Sequence, residues 1–146
     1  MVDPARILII DDEPELCRYL DEGLTARGFQ VQTFTAAAAA LRFLDGADVD
    51  VVVTDLQMRS MGGLELCERV SQNRPDLPVV VITAFGSLEL AIAAIRVGAY
   101  DFLTKPFELD VLVLALHRAA RHKALRAEVK RLRATIEHSR GFDDMV

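Results

Sequence analysis

The 146-residue chain contains no tryptophan, only two cysteines, and no apolar run approaching the ~20 residues a membrane-spanning helix needs. Without tryptophan, and with aromatics at 6%, it offers no platform on which single-stranded nucleic acid would stack. Cys17 and Cys67 have no metal-type spacing and read as free thiols in a reducing cytoplasm. Neither G-x-G-x-x-G nor G-x-x-x-x-G-K-[ST] occurs, so Gly62-Gly63 is a turn signal and not a nucleotide fingerprint. His117 and His122 are spaced wrongly for paired ligands on one helical face, and His138 is isolated. No Ser/His/Asp or Cys/His arrangement is suggested. The start, MVDPARILII, lacks the form of a signal peptide, and a cytoplasmic protein is expected.

What is present is apolar residues, at 51%, and acid. One globular domain with a sizeable core fits this length. The formal charge of −5 is unevenly placed: residues 1–120 carry 10 Lys/Arg against 18 Asp/Glu, and residues 121–146 carry 7 against 4. An acidic body argues against direct binding to nucleic acid or an anionic membrane. The short basic tail has the period of a solvated helix face.

Read in order, apolar runs alternate with helical patterns. Arg6–Ile10 is a short apolar strand that stops at Asp11-Asp12-Glu13, and Pro14 opens a helix to about Arg27, with Gly28 as its stop. Gln30–Phe34 alternates polar and apolar, a strand with one face less buried. Alanine-rich 36–44 is a helix, Val49–Thr54 a strand, and Leu64–Gln72 a helix broken at Asn73-Arg74-Pro75. Val79–Thr83 is a strand. Leu88–Val97 follows as a helix with Ser87 as its N-cap, and Gly98 stops it. Asp101–Thr104 is a short strand closed by Lys105-Pro106, and a last helix runs from Leu109 to about His138.

Five strands alternating with five helices imply a parallel sheet with right-handed crossovers. RILII, VVVT and VVVIT are apolar on both faces and belong in the centre, whereas QVQTF and DFLT have the character of edges. The order 2-1-3-4-5 follows, giving an α/β, flavodoxin-like (βα)5 three-layer sandwich with an extended C-terminal helix. Its ligand crevice lies where the winding reverses, beside the carboxyl ends of strands one and three. Asp11, Asp12 and Asp55 converge there, and Thr83 and Lys105 close one rim.

Three carboxylates this close repel one another unless a cation sits among them, and hard oxygen donors suit Mg²⁺ or Mn²⁺. A carboxylate beside such a metal can attack a phosphoryl group. Each residue alone has a blander explanation. Asp12 could cap a helix, Asp55 could sit in a turn, Thr83 could be a plain strand residue, and Lys105 could be exposed and held extended by Pro106. Their joint placement at one sheet end favours phosphoryl transfer.

The motifs ILIIDDE, VVVTDLQM, VVVITA and GAYDFLTKPFELD resemble the receiver domain of bacterial two-component response regulators, over residues 5–120. The resemblance implies that a sensor histidine kinase donates a phosphoryl group to Asp55. It implies Mg²⁺ held by Asp12, Asp55 and the backbone carbonyl of Gln57, with Asp11 assisting. It pairs Lys105 with the phosphoryl oxygens and makes Thr83 and Phe102 the switch. The chain departs from the commonest pattern at Met58-Arg59, where Met-Pro is usual, at Gly62-Gly63, where Asp-Gly is usual, and at Phe102, where tyrosine is frequent. Gln57 and Phe85 occupy positions at which family members tune the phosphoryl lifetime.

A helix over 109–138 would be ~45 Å long and project beyond a domain ~35 Å across. Leu125, Val129, Leu132 and Ile136 step by four, three and four, an a/d seam of about two heptads. In a parallel pair Glu128 at g faces Arg133 at e, while Arg121 and Arg126 oppose each other. A homodimer through the last helices and this linker is expected. GFDDMV and the segment from Gly86 to Asp110 are similar to nitrogen-regulatory-protein-C-type activators of sigma-54 RNA polymerase. That similarity implies a receiver (1–120), a helical linker (121–140) and, from 141, the start of a missing AAA+ domain, with a DNA-binding module beyond it. Two other readings remain. A haloacid-dehalogenase-type phosphatase wants Asp-x-Asp where this chain has adjacent Asp11-Asp12, and a receiver-like interaction module would never turn over phosphate.

Overall fold

The computed structural model describes residues 4–58, 61–84 and 87–144. Its strands are β1 (Arg6–Ile10), β2 (Gln30–Phe34), β3 (Val51–Asp55), β4 (Val79–Ala84) and β5 (Asp101–Lys105). The helices are α1 (Pro14–Ala26), α2 (Ala37–Leu44), α3 (Gly63–Asn73), α4 (Leu88–Arg96) and α5 (Leu109–Asp144). All pairings are parallel and the order is β2-β1-β3-β4-β5, as the apolar pattern of the strands implies.

Alternation along each strand divides the core in two. Leu8, Ile10, Val52, Val79 and Val81 pack under α2, α3 and α4. Ile7, Ile9, Val51, Val53, Val80 and Ile82 pack under α1 and α5. The central strand β3 is buried along its whole length, while β2 and β5 stay partly exposed at the edges. This is the three-layer sandwich expected of strands apolar on both faces.

Several boundaries differ from the sequence reading. Asp55 is the last paired residue of β3, opposite Ile82, whereas Val49 lies outside the strand although buried. The reason is that ladder pairing continues past the apolar run: the Leu56 N–H donates to the Ile82 carbonyl at 2.9 Å. Ser87 stands at the N-cap of α4 but makes no side-chain capping bond there. Gly28 and Gly98 do stop their helices, at φ +95° and +116°, a conformation costly for other residues. Helix α5 does not end at His138 but continues to Asp144, a span of 36 residues and so about 54 Å at the usual rise. Leu112, Leu116 and Ala119 are its fully packed residues; from Leu125 onward the apolar seam faces solvent.

The two adjacent glycines have different duties. A Cβ on Gly63 would strike the Asp55 carbonyl oxygen and the Leu56 Cα, both backbone, while one on Gly62 would meet nothing within 4 Å. The Gly63 N–H donates to the Leu56 carbonyl at 3.2 Å, so α3 starts pressed against the chain just after Asp55. Gly63→Ala should cost about 2 kcal/mol or more, by the strain of displacing backbone, and Gly62→Ala should stay within about 0.5 kcal/mol. Guanidinium unfolding of the two variants checks this, and equal losses would contradict it.

Candidate functional site

The carboxyl ends of β1, β3, β4 and β5 bring the sequence-predicted residues to one place. Asp11 follows β1, and its N–H donates to the Phe34 carbonyl at 3.1 Å, carrying the β1–β2 ladder to the rim. One oxygen of Asp11, Oδ1, accepts the Glu13 N–H at 2.9 Å, which fixes the turn into α1. The residue at the N-cap of α1 is Glu13, which makes no side-chain capping bond. The other oxygen, Oδ2, is buried without a hydrogen-bond partner.

At the end of β3, Asp55 Oδ1 accepts the Gln57 N–H at 2.9 Å and Oδ2 accepts a bond from Lys105 Nζ at 3.0 Å. The same ammonium lies 3.8 Å from Asp11 Oδ2. Asp11, Asp12 and Asp55 each offer a carboxylate oxygen such that all three lie within 4.8 Å of one another. Asp11 and Asp55 are only 2% and 6% exposed. On β4, between the strands that carry Asp55 and Lys105, Thr83 is fully buried, and its Oγ1 has no hydrogen-bond partner.

The electrostatics follow from these contacts. Burial pushes the Asp11 carboxyl up to about 6; the Glu13 N–H pulls it back, and the Asp55 charge adds to the rise. For Lys105, burial works to lower the pKa, but the bond to Asp55 and the charges of Asp55 and Asp11 outweigh it, and the net shift is upward. Among the described residues, the buried carboxylates of Asp11 and Asp55 thus share the Lys105 ammonium, two negative charges to one positive. A divalent ion with oxygen ligands fits the donor set and supplies a partner for the orphaned Asp11 Oδ2.

A model of the response regulator receiver domain family matches residues 7–117 of the chain. The chain belongs to this family. It is 39% identical to the transcriptional regulatory protein GlrR of Escherichia coli over 121 residues, 83% of this chain and 27% of that protein. It is 36% identical to the C4-dicarboxylate transport transcriptional regulatory protein DctD of Rhizobium meliloti, over 90% of this chain and 28% of that protein. The receiver thus spans little more than a quarter of these relatives. Among solved structures, NtrX from Brucella abortus in complex with ADP superposes with a TM-score of 0.84 at 35% identity, covering 88% of this chain and 30% of NtrX. A response regulator receiver domain protein from Clostridium thermocellum gives 0.79 at 32% identity, covering 83% of this chain and 98% of that one.

Other residues of the receiver take structural places. Phe102, on edge strand β5, is half-buried against the α2/α3/α4 core. His117 stacks on Phe29 with ring centroids 5.0 Å apart, and His122 on Tyr100 at 4.9 Å. Both thiols are buried and unbridged; burial raises the Cys17 pKa and lifts that of Cys67 to about 11, which makes both poor nucleophiles. Arg59 and Phe85 lie outside the described residues. The sequence reading missed the contact role of Gly63; the only signal for it was a second glycine where one turn glycine would do.

Because the folded-state pKa of Asp11 is raised, its ionised form costs stability above about pH 6, and that cost is relieved as pH falls through 6 toward the ordinary 3.8. In metal-free buffer, Asp11→Asn should therefore stabilise the receiver at pH 7.5 by on the order of 1–3 kcal/mol. The gain should shrink below pH 6, and thermal melts over pH 5–8 would read it. A destabilised Asp11→Asn at pH 7.5 would contradict the charge-strain account.

Proposed function

We propose that the chain is the phospho-accepting domain of a two-component regulator and that Asp55 takes a phosphoryl group from a sensor histidine kinase. The observation that carries this reading is the cluster of Asp11, Asp12 and Asp55, with Lys105 paired to Asp55 and the Thr83 hydroxyl left unpartnered on the intervening strand β4. Asp11, Asp12, Asp55 and the Gln57 backbone carbonyl would hold Mg²⁺, or Mn²⁺ in its place. Bound there, the ion would neutralise charge on the oxygens of the transferring group.

The chain's own residues divide the remaining work. An Asp55 oxygen attacks phosphorus as the bond to the donor imidazole nitrogen breaks, and the imidazole leaves with the electron pair. The Gln57 N–H keeps the other oxygen turned inward. Lys105, released from a carboxylate that has become an acyl phosphate, pairs with the new phosphoryl oxygens. Thr83 Oγ1 donates to one of them, which satisfies a hydroxyl otherwise buried without a partner. Moving Thr83 frees space beside β4 and β5, and Phe102 turns inward to fill it. The dianionic group thereby biases a two-state equilibrium read out on α4, β5 and α5. The only reactions of the domain itself are its own phosphorylation and dephosphorylation.

Exposed Leu88, Ile92 and Ile95 on α4, with Val111 and Leu114 on α5, flank edge strand β5 and support an output face there. The α5 seam of Leu125, Val129, Leu132 and Ile136 is exposed on every member, which supports a parallel homodimer through the linker. Similarity to regulators about three times as long supports a division into receiver (1–120), linker (121–140) and an AAA+ ATPase of the sigma-54-activating kind beginning near 141, with a DNA-binding module after it. No helix among the described residues is long and apolar enough to cross a membrane; a cytoplasmic location, with nucleic-acid binding left to another module, is part of the proposal.

Incubation with Mg²⁺ and a small phosphodonor should add the mass of one phosphoryl group, removed by alkali or hydroxylamine and absent in Asp55→Asn. Thr83→Ala should still take up the group while losing the accompanying change in oligomer size. No adduct on the wild-type chain, under conditions where another receiver reacts, would overturn the reading.

A further inference from the structure

The extension of α5 does not leave the receiver freely. Just past Ala119, its last buried residue among those described, Lys123 Nζ pairs with Asp50 Oδ1 at 3.1 Å. One turn on, Asp76, in the loop between α3 and β4, reaches both Arg126 Nε at 3.8 Å and Lys130 Nζ at 3.7 Å. Asp76 and the seam residues Leu125 and Val129 border the same groove. The receiver body therefore touches the linker where its seam begins.

The heptad register gives this contact a meaning. With Leu125 and Leu132 at d and Val129 and Ile136 at a, Arg126 is an e residue, Lys130 a b residue, and Arg121 and Glu128 are g residues. In a parallel pair Arg133 meets Glu128 of the other copy, but Arg126 meets its Arg121, a like-charge clash repeated by symmetry. Antiparallel packing would be worse, since it sets the basic e residues Arg126 and Arg133 against each other. An aspartate that touches both e and b residues lies on the side of Arg126 away from the seam. It both offsets the guanidinium charge and draws it off the path of the opposing Arg121.

Resting on the dimer reading above, we infer that Asp76 of the receiver body is a dimerisation determinant: by holding Arg126 off the seam, it lets a second copy of this chain pair in parallel despite the Arg121–Arg126 clash. The coiled coil is thus incomplete without the domain it grows from. Phosphorylation need only move the loop bearing Asp76 relative to α5 to change how well the two helices fit.

Sedimentation equilibrium of the whole chain tests this, with and without beryllofluoride, compared in the state that forms the tighter dimer. Asp76→Asn should raise the dimer dissociation constant about three- to tenfold in ~50 mM salt, two symmetric clusters being lost, and most of the effect should vanish near ~0.5 M. Arg121→Gln should tighten the dimer by itself, and in that background Asp76→Asn should change it less than about twofold. An equal loss in both backgrounds would overturn the inference, because Asp76 would then only anchor the helix. So would a dimer broken by Leu132→Asp yet indifferent to Asp76→Asn. If wild type and Leu132→Asp are both monomeric throughout, the dimer reading itself falls and takes the inference with it.

Discussion

Among the described residues, two buried carboxylates, Asp11 and Asp55, share the Lys105 ammonium at the carboxyl end of the sheet with Asp12 beside them, and the rest of the receiver is arranged around that imbalance. Asp11 and Asp55 are almost wholly buried, and Lys105, 3.0 Å from Asp55 and 3.8 Å from Asp11, cannot neutralise both. Burial, with the Asp55 charge adding to it, holds the Asp11 carboxyl near 6. Charges kept this close in a poorly hydrated place represent stored free energy, which a divalent cation would relieve and a phosphoryl group would redistribute. The unpartnered Asp11 Oδ2 and Thr83 Oγ1 mark the directions in which relief is lacking.

Everything that holds the cluster in place belongs to the fold. Parallel strands send four successive carboxyl ends to one edge, and a core on each face leaves them little room to move. Gly63 lets α3 close against the backbone at Asp55. On the far side of the sheet, Asp50 at the foot of β3 and Asp76 before β4 hold the start of the α5 extension. The two strands that carry Asp55 and Thr83 at their tops therefore adjoin the linker at their feet. Through that adjacency the proposed phosphorylation at Asp55 would reach the proposed helix pair.

Much of this was legible in the sequence because apolar patterning is local. RILII, VVVT and VVVIT declare buried strands, QVQTF declares an edge, and the acids and the lysine at their ends then fall together once the order is set. Element limits were less legible. Ladder pairing took in Asp55 and not Val49, and α5 ran past His138 to Asp144, since strand pairing and helix propagation depend on neighbours and not on the residue alone. Ser87 has the right residue type for a cap but makes no capping bond with its side chain. Gly63 and Asp76 were illegible for a different reason: each acts on something distant in the chain or across a loop, and no periodicity reports such contacts.

The central claim is that the buried acidic cluster is a cation site that governs Asp55. Mn²⁺ titration followed by paramagnetic broadening of backbone amide resonances tests it most directly, since it needs neither kinase nor phosphodonor. The account predicts saturable broadening confined to the carboxyl ends of β1, β3, β4 and β5, competed by Mg²⁺ and strongly weakened by Asp12→Asn. Broadening that spreads over the acidic surface, or leaves the residues around Asp11 and Asp55 sharp, would contradict it.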